Sequence, residues 1–196
     1  MQDWVGTFKF PEGVRLLWNW QLNNQHYPDW DGMLEEWAKD GVRPMVYMNP
    51  YFANLTGNPE IRTNYFKYLD DHGYFIKNTQ NESYEIKSVS IEFGMVDFSN
   101  PDAYQWCKET IINNMIKEAK SVGWMHDFGE YTPTMGVKFN GYQGYTGTYH
   151  NRYPYEWAKI SQEAIREAGT EDETVYFMRA GSTMSPGKTS LFWMGD

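Results

Sequence analysis

The chain has 196 residues, a length that suits one domain or a part of a larger one. Its net charge is −9, from 17 Lys and Arg against 26 Asp and Glu, which argues against general binding to nucleic acid or anionic membranes. No apolar run approaches the roughly 20 residues that a membrane-spanning helix requires. The single cysteine, Cys107, excludes an intrachain disulfide and a zinc site built from several cysteines.

Aromatic side chains are the unusual feature of the composition. Nine Trp, fifteen Tyr and eleven Phe make up 18% of the chain, so their role has to be explained. One interpretation is a core packed with bulky rings. The other is a sugar-binding site, because aromatic faces stack on the apolar faces of pyranose rings. Composition alone leaves both interpretations open.

Strand-like and helix-like segments alternate along the chain. Short apolar runs, typical of strands buried on both faces, occupy residues 42–51, 94–100, 124–128, 174–179 and 190–194. Apolar residues recur at helical spacing in residues 30–38, 64–72, 104–122 and 157–168, with stop signals at Gly41, Gly123 and Gly169. Such alternation predicts a parallel sheet with crossover helices.

Polar residues lie where the candidate strands end, which favours a barrel over an open sheet. They are Gln2, Asp3, Asn49, Asp97, Asp127, Arg179 and Asp196. In a (β/α)8 barrel the active site is built from the carboxyl ends of several strands. A doubly wound sheet binds its ligand mainly at one switch point, and no Gly-x-Gly-x-x-Gly turn is present for that purpose. We therefore expect an α/β fold of the (β/α)8 TIM-barrel type.

The two termini predict that this barrel is incomplete. Gln2-Asp3-Trp4 stands where a first strand should already end, and Asp196 stands at the end of another strand-like run. About six strand ends are present, whereas a complete barrel has eight. We expect residues 1–196 to be a partial catalytic barrel domain that is truncated at both ends.

Two aspartates are candidate catalytic residues, because Asp127 and Asp196 each follow an apolar strand-like run. A carboxylate at a strand end is held rigidly, as a nucleophile must be. Glycoside hydrolysis requires two carboxylates, one that attacks the anomeric carbon and one that protonates the leaving oxygen. The alternatives are structural, with Asp127 as a helix N-cap or hydrogen-bond acceptor and Asp196 as a loop residue.

Arg15 and Trp18 follow the first predicted strand end and form a second candidate site. They are either packed surface residues or an anion clamp built from guanidinium and indole N–H donors. The Gly- and Tyr-rich residues 136–157 are either a flexible surface excursion or a rim over a sugar site. The four histidines lack metal-ligand spacing, so we predict no metal and no cofactor.

Five motifs, in their order along the chain, resemble glycoside hydrolase family 31 and within it the sulfoquinovosidases, which release sulfoquinovose from α-glycosides. The similarity covers essentially the whole chain. The motifs are Gln2-Asp3-Trp4, Arg15-Leu16-Leu17-Trp18-Asn19-Trp20, Trp124-Met125-His126-Asp127-Phe128-Gly129-Glu130-Tyr131, Phe177-Met178-Arg179-Ala180-Gly181-Ser182 and Trp193-Met194-Gly195-Asp196. Met125 stands where many α-glucosidases and α-xylosidases of the family carry a lysine, which favours the sulfo-sugar branch.

The resemblance implies a retaining mechanism with Asp127 as the nucleophile and Asp196 as the general acid/base. It also implies that Arg15, Trp18 and Gln2 recognise the sulfonate, the last partly through water.

Two further contacts are implied by the same resemblance. Arg179 matches a residue that contacts a sugar hydroxyl beside the acid/base strand, and Asp3 is a further candidate for a hydroxyl. The expected partner is a small glycoside, with no nucleic acid and no membrane span.

Two alternatives to a sulfoquinovoside-cleaving α-glycosidase remain open. The first is a neutral-sugar α-glucosidase of the same family, in which Arg15 is structural. The second is a non-catalytic carbohydrate-binding fragment, which keeps the aromatic stacking but lacks a closed barrel.

Overall fold

The computed structural model describes residues 3–11, 13–88, 91–189 and 191–194. The strands are β1 (Thr7–Phe10), β2 (Gly13–Leu16), β3 (Val46–Met48), β4 (Tyr51–Ala53), β5 (Lys77–Asn78), β6 (Glu85–Ser88), β7 (Ile91–Met95), β8 (Gly123–His126), β9 (Val137–Lys138), β10 (Val175–Met178) and β11 (Leu191–Phe192). The α-helices are α1 (Trp30–Lys39), α2 (Tyr65–Asp71), α3 (Pro101–Thr110) and α4 (Thr146–Ala168), and a π-helix (Ile111–Glu118) continues α3.

A parallel sheet in the order β3-β8-β10-β11 is the framework of the molecule. It joins four of the predicted strand segments, and helices connect β8 to β10 and precede β8, as strand–helix alternation predicts. Its register places Tyr47, Met125, Phe177 and Leu191 side by side on one face. The alternate residues of the same strands point to the opposite face.

The two faces of this sheet differ in burial. On one face Trp124, His126 and Tyr176 are buried against α4, where the Tyr176 hydroxyl donates to the Ala158 carbonyl at 2.8 Å. On the other face Met125 and Phe177 are only half-buried. The half-buried face therefore borders the space in which a ligand is expected.

Two tryptophans satisfy backbone carbonyls along β3. The Trp4 indole N–H donates to the Tyr47 carbonyl and the Trp20 indole N–H to the Asn49 carbonyl, both at 2.8 Å. Both indoles are almost completely buried. Since an unpaired buried carbonyl is costly, these bonds stabilise the strand next to the site.

The prediction that residues 94–100 form a strand of the parallel sheet is wrong. β7 ends at Met95 and pairs antiparallel with β4 and β6 in a separate three-stranded sheet. An apolar run shows burial but not strand direction, which is why the pattern was ambiguous. Asp3 and Trp4 are not at a strand end in the described residues but next to a turn that leads into the β1–β2 hairpin.

Two predicted helices have different bounds. The stripe at 104–122 corresponds to α3 and the π-helix, which begin at Pro101 behind the N-cap Asn100. α4 begins at Thr146, so the second half of the Gly- and Tyr-rich segment is helical rather than an excursion. Its C-terminus is capped by Gly169 at φ +70°, a left-handed conformation that favours glycine.

No helix of the described residues is long and apolar enough to span a bilayer. In the same part of the chain, no group of His, Cys, Asp and Glu side chains is arranged to hold a metal ion.

The exposed edge at β11 generates a prediction for the 196-residue polypeptide on its own. Leu191 is 50% exposed on the half-buried face of the sheet, and exposed apolar edge strands pair with other chains. We expect Leu191→Lys to weaken self-association by roughly tenfold or more, because a buried leucine contributes about 1.5–3 kcal/mol. Sedimentation velocity over a concentration series measures this. Val42→Lys, at an exposed loop position, is the control; equal effects of both substitutions would contradict the edge as the contact.

Candidate active site

Asp127 lies directly after β8 and is held there by the backbone on both sides. Its N–H donates to the Met48 carbonyl at 2.9 Å, and its carbonyl accepts the Trp157 indole N–H at 3.2 Å. Phe128 follows at φ +60° and Gly129 at φ +111°, so the chain turns sharply after the aspartate. A left-handed Phe is strained and persists only where its surroundings enforce it, which is typical of functional sites.

The two carboxylate oxygens of Asp127 have different surroundings. Oδ2 accepts a hydrogen bond from the Tyr47 hydroxyl at 2.6 Å. Oδ1 lies 3.5 Å from Arg179 Nε and has no hydrogen-bond partner among the described residues. The side chain is 9% exposed, so the carboxylate is mostly removed from water. Oδ2 is thus held by a hydrogen bond, whereas Oδ1 is buried beside Arg179 without one.

Arg179 connects Asp127 to Glu130. Its Nε donates to Glu130 Oε1 at 2.8 Å, and its Nη2 also contacts that oxygen. The guanidinium lies over the Phe128 ring, 4.1 Å from the centroid, in a cation–π contact. Arg179 therefore presents a fixed positive charge beside Asp127 Oδ1.

Burial raises the pKa of Asp127 above its usual range, and the Tyr47 hydrogen bond and the Arg179 charge offset part of this effect. The neighbouring His126 faces the other way and is fully buried, with Nε2 2.7 Å from the Trp157 carbonyl and Nδ1 3.2 Å from Ser161 Oγ. Burial lowers the pKa of His126 to about 3, so the ring is neutral. His126 therefore packs behind the site.

Aromatic rings form a wall beside Asp127. The Trp18 ring lies 4.9 Å from Phe93, 5.6 Å from Tyr51 and 5.9 Å from Phe128, measured between centroids. Trp18 is half-buried, and its indole N–H donates to no described residue. The fold therefore brings Trp18 next to the segment that carries Asp127, although more than 100 residues separate them in sequence.

Arg15 lies on β2 opposite Phe8, not in a loop as its sequence position suggested. Its side chain is half-buried, and it forms no ion pair with any described residue. A cavity of about 980 Å³ lies beside the same hairpin and is lined by Leu16, Leu17 and residues 53–60, but neither Arg15 nor Asp127 lines it. We therefore identify the candidate site from the charged and hydrogen-bonded side chains around Asp127 and not from the size of a cavity.

Three predicted site residues remain, and the structure describes only Asp3 among them. The Asp3 carboxylate accepts a hydrogen bond from the Tyr27 hydroxyl. Gln2 and Asp196 lie outside the described residues, so the separation of Asp127 and Asp196 is not defined.

Sequence reasoning gave no role to Tyr47 and Glu130, which contact this site, and it named Asn49 only as a polar residue at a strand end. Tyr47 and Asn49 come from β3 and the residues that follow it, and Glu130 follows Asp127 by three residues. Period-two alternation places Tyr47 and Asn49 on one side of the strand, a signal that was available.

Asp97, one of the polar residues at predicted strand ends, anchors a loop instead. It is buried and accepts hydrogen bonds from Ser99 N at 3.0 Å, Ser99 Oγ at 2.6 Å and Asn140 N at 2.6 Å. A Cβ at Gly141 would lie 1.8 Å from the Ser99 carbonyl oxygen, so the backbones meet closely there. The first part of the Gly- and Tyr-rich segment is therefore pinned to the end of β7.

Asp127 and Asp97 differ in their hydrogen bonds, and this difference predicts opposite effects on stability when each is replaced by asparagine. Because the pKa of Asp127 is raised in the folded state, its ionisation lowers stability as pH rises through that pKa. We expect Asp127→Asn to raise the free energy of unfolding at pH 7, with the gain vanishing near pH 3, below the usual aspartate range. Urea unfolding at both pH values measures this.

Asp97→Asn is the matched comparison for that experiment. Burial raises the pKa of Asp97 too, but both of its oxygens accept hydrogen bonds, so an amide nitrogen would face a donor and the variant should lose about 1–3 kcal/mol at neutral pH. A lower free energy of unfolding for Asp127→Asn than for the wild type at pH 7 would contradict the prediction that the buried charge of Asp127 lowers stability.

Comparisons with known proteins agree with this architecture. Residues 2–196 match the glycosyl hydrolases family 31 TIM-barrel domain. The chain is 39% identical over 195 residues to the sulfoquinovosidase of Escherichia coli and 33% identical to that of Agrobacterium fabrum. Both alignments cover 100% of this chain but only 27% and 28% of those proteins, so the chain spans about a quarter of their length.

A solved structure shows the same similarity in three dimensions. A GH31 family sulfoquinovosidase from E. rectale, in complex with the aza-sugar inhibitor IFGSQ, superposes with a TM-score of 0.88 at 33% identity. The match covers 100% of this chain and 28% of that one, and it supports a (β/α)8-type fold. The sequence and the structural match together establish that the chain belongs to glycoside hydrolase family 31.

Proposed function

We propose that the protein carrying this chain is a retaining α-glycosidase that cleaves sulfoquinovosides such as sulfoquinovosyl glycerol. The identity to two sulfoquinovosidases over the whole chain supports the substrate class. The buried Asp127 carboxylate, held by Tyr47 and faced by Arg179 at the carboxyl edge of the sheet, is the observation that carries the mechanism.

In this proposal Asp127 attacks the anomeric carbon and Asp196 protonates the leaving oxygen, then deprotonates the incoming water. The Tyr47 hydrogen bond and the Arg179 charge favour the ionised form of Asp127 and offset part of the effect of its burial. Retention requires the two carboxyl groups to lie about 5–5.5 Å apart, so a structure of the full-length protein should have that separation.

The substrate sulfonate would be bound by Arg15, Trp18 and Gln2. A sulfonate is charged at every physiological pH, so its site needs permanent donors. Arg15 has no ion-pair partner among the described residues, and the Trp18 indole N–H is unused in the same part of the chain. Both groups are therefore available to an anion.

The sugar hydroxyls would be contacted by Arg179 and Asp3. Arg179 keeps its charge next to Asp127 while Glu130 fixes its orientation. Asp3 is oriented in turn by the Tyr27 hydroxyl. The half-exposed Trp18 ring and its aromatic neighbours would pack against the sugar.

The nucleophile is tested with Asp127→Asn in the full-length protein. Turnover of 4-nitrophenyl α-sulfoquinovoside should fall by roughly 10³-fold or more, because covalent catalysis is removed. Asp31→Asn, at an exposed aspartate of α1, is the control and should retain activity. Wild-type turnover by Asp127→Asn would eliminate Asp127 as the nucleophile.

The substrate class is tested with Arg15→Leu on two substrates. We expect kcat/KM for the sulfoquinovoside to fall by at least roughly 10²-fold, since a hydrogen bond to a charged group contributes about 1.5–3 kcal/mol and an unpaired buried anion costs more. The matching 4-nitrophenyl α-glucoside should lose far less. Trp18→Phe should have a smaller effect with the same selectivity.

Arg62→Leu is the matched control, because Arg62 pairs with Glu118 on the surface and lies outside the site. This variant should leave kcat/KM unchanged for both substrates. An equal loss for both substrates in Arg15→Leu would make Arg15 structural and favour the neutral-sugar α-glucosidase.

A further inference from the structure

Asn49, Tyr47 and Asp127 form a chain of hydrogen bonds. Asn49 Nδ2 lies 3.1 Å from the Tyr47 hydroxyl oxygen, which lies 2.6 Å from Asp127 Oδ2. Asn49 is 1% exposed, and its carbonyl is held by the buried Trp20 indole. The chain of bonds is thus anchored in the core at one end and reaches the candidate nucleophile at the other.

The direction of these bonds follows from the donors around Asn49. Asn49 Oδ1 accepts the Tyr51 N–H at 3.1 Å, so this atom is the amide oxygen and the other is the amide nitrogen. The amide nitrogen donates to the Tyr47 oxygen. The Tyr47 proton must therefore point away from Asn49, toward Asp127 Oδ2.

We propose that Asn49 and Tyr47 are positioning residues that fix the Asp127 carboxylate through Oδ2 and stabilise its negative charge. The inference rests on the proposed role of Asp127 as the nucleophile. It assigns roles to two residues outside the motifs that carried that proposal.

Asp127 loses and regains its negative charge in the two chemical steps. In the first step a bond from the carboxylate to the anomeric carbon forms as the bond to the aglycone oxygen breaks, and the aglycone oxygen takes the proton of the general acid. Asp127 is then an uncharged ester. In the second step water attacks the anomeric carbon and gives its proton to the general base, and the bond to Asp127 breaks with its electron pair returning to the carboxylate.

The Tyr47 proton stays on Tyr47 throughout, but the strength of its hydrogen bond changes. It is strong to a carboxylate and weaker to an ester carbonyl. Tyr47 therefore stabilises the departing carboxylate in the second step, so its removal should slow breakdown of the intermediate more than its formation.

Three other groups face Asp127 from the elements packed against it. Arg179 comes from the end of β10, Glu130 from the turn after β8 and Tyr51 from β4. Tyr47 and Arg179 oppose the effect of burial, whereas Glu130 adds to it. Loss of the Tyr47 donor should therefore make Asp127 harder to ionise.

The test uses Tyr47→Phe in the full-length protein with 4-nitrophenyl α-sulfoquinovoside. We expect kcat to fall about 10- to 100-fold, with a lower KM and a burst of 4-nitrophenol, because the covalent intermediate accumulates. The acid limb of kcat/KM should move to higher pH.

Tyr153→Phe is the matched control. Tyr153 is fully buried and donates to the Val96 carbonyl at 2.9 Å, so the variant loses a comparable bond away from Asp127. It should lower the melting temperature without changing the burst or the acid limb.

Asn49→Asp is a second variant that keeps the size and the acceptor for Tyr51 N–H. It replaces the donor toward Tyr47 by an acceptor, so the Tyr47 proton is drawn away from Asp127. The same burst and the same shift of the acid limb are expected, and unchanged kinetics in both variants would overturn the proposal.

Mass spectrometry of the intermediate trapped during the burst separates this proposal from the proposed function. Sugar on the peptide that contains Asp127, together with unchanged variant kinetics, refutes the positioning role alone. Sugar on another residue refutes the nucleophile assignment and the positioning role together.

Discussion

The Asp127 carboxylate lies at the carboxyl edge of the parallel sheet, where it is almost completely removed from water. Removing a charge from water is costly unless donors and an opposite charge compensate. Asp127 receives one hydrogen bond from Tyr47 and faces the guanidinium of Arg179. These groups come from β3 and from the end of β10, the two neighbours of β8, so only the parallel order brings them to one point.

The two faces of the sheet differ in how tightly their side chains are packed. Behind the site, the neutral His126 ring stacks on Trp157 at 3.6 Å and is bonded at both nitrogens, so the strand before Asp127 is firmly packed. In front, Met125 and Phe177 are only half-buried, so this face is more open than the other. The strained turn at Phe128 lies between these environments and directs its ring beneath Arg179. Tight packing behind the sheet thus fixes the position of Asp127 at the sheet edge.

The aromatic residues serve both purposes that composition left open. Trp4 and Trp20 are core residues whose indole N–H groups satisfy carbonyls along β3, so the bulky-core interpretation is confirmed for them. Trp18 is half-buried next to the Asp127 segment, and its contact with a sugar stays a prediction. Local sequence does not separate Trp18 from Trp20. How deeply each ring is buried depends on the strand face against which it packs, and that strand comes later in the sequence.

The strand–helix alternation, the strands before Asp127 and Arg179, and the family motifs could all be predicted from the sequence, because they depend on patterns among neighbouring residues. Contacts between residues that are distant in sequence could not, because they depend on how the strands pair. Residues 94–100 are as apolar as the parallel strands, yet β7 pairs antiparallel, since direction is set by its partners. Tyr47 meets Asp127 across 80 residues through sheet register and the turn at Phe128. Register and backbone torsion are properties of the assembled sheet, and no local pattern specifies them.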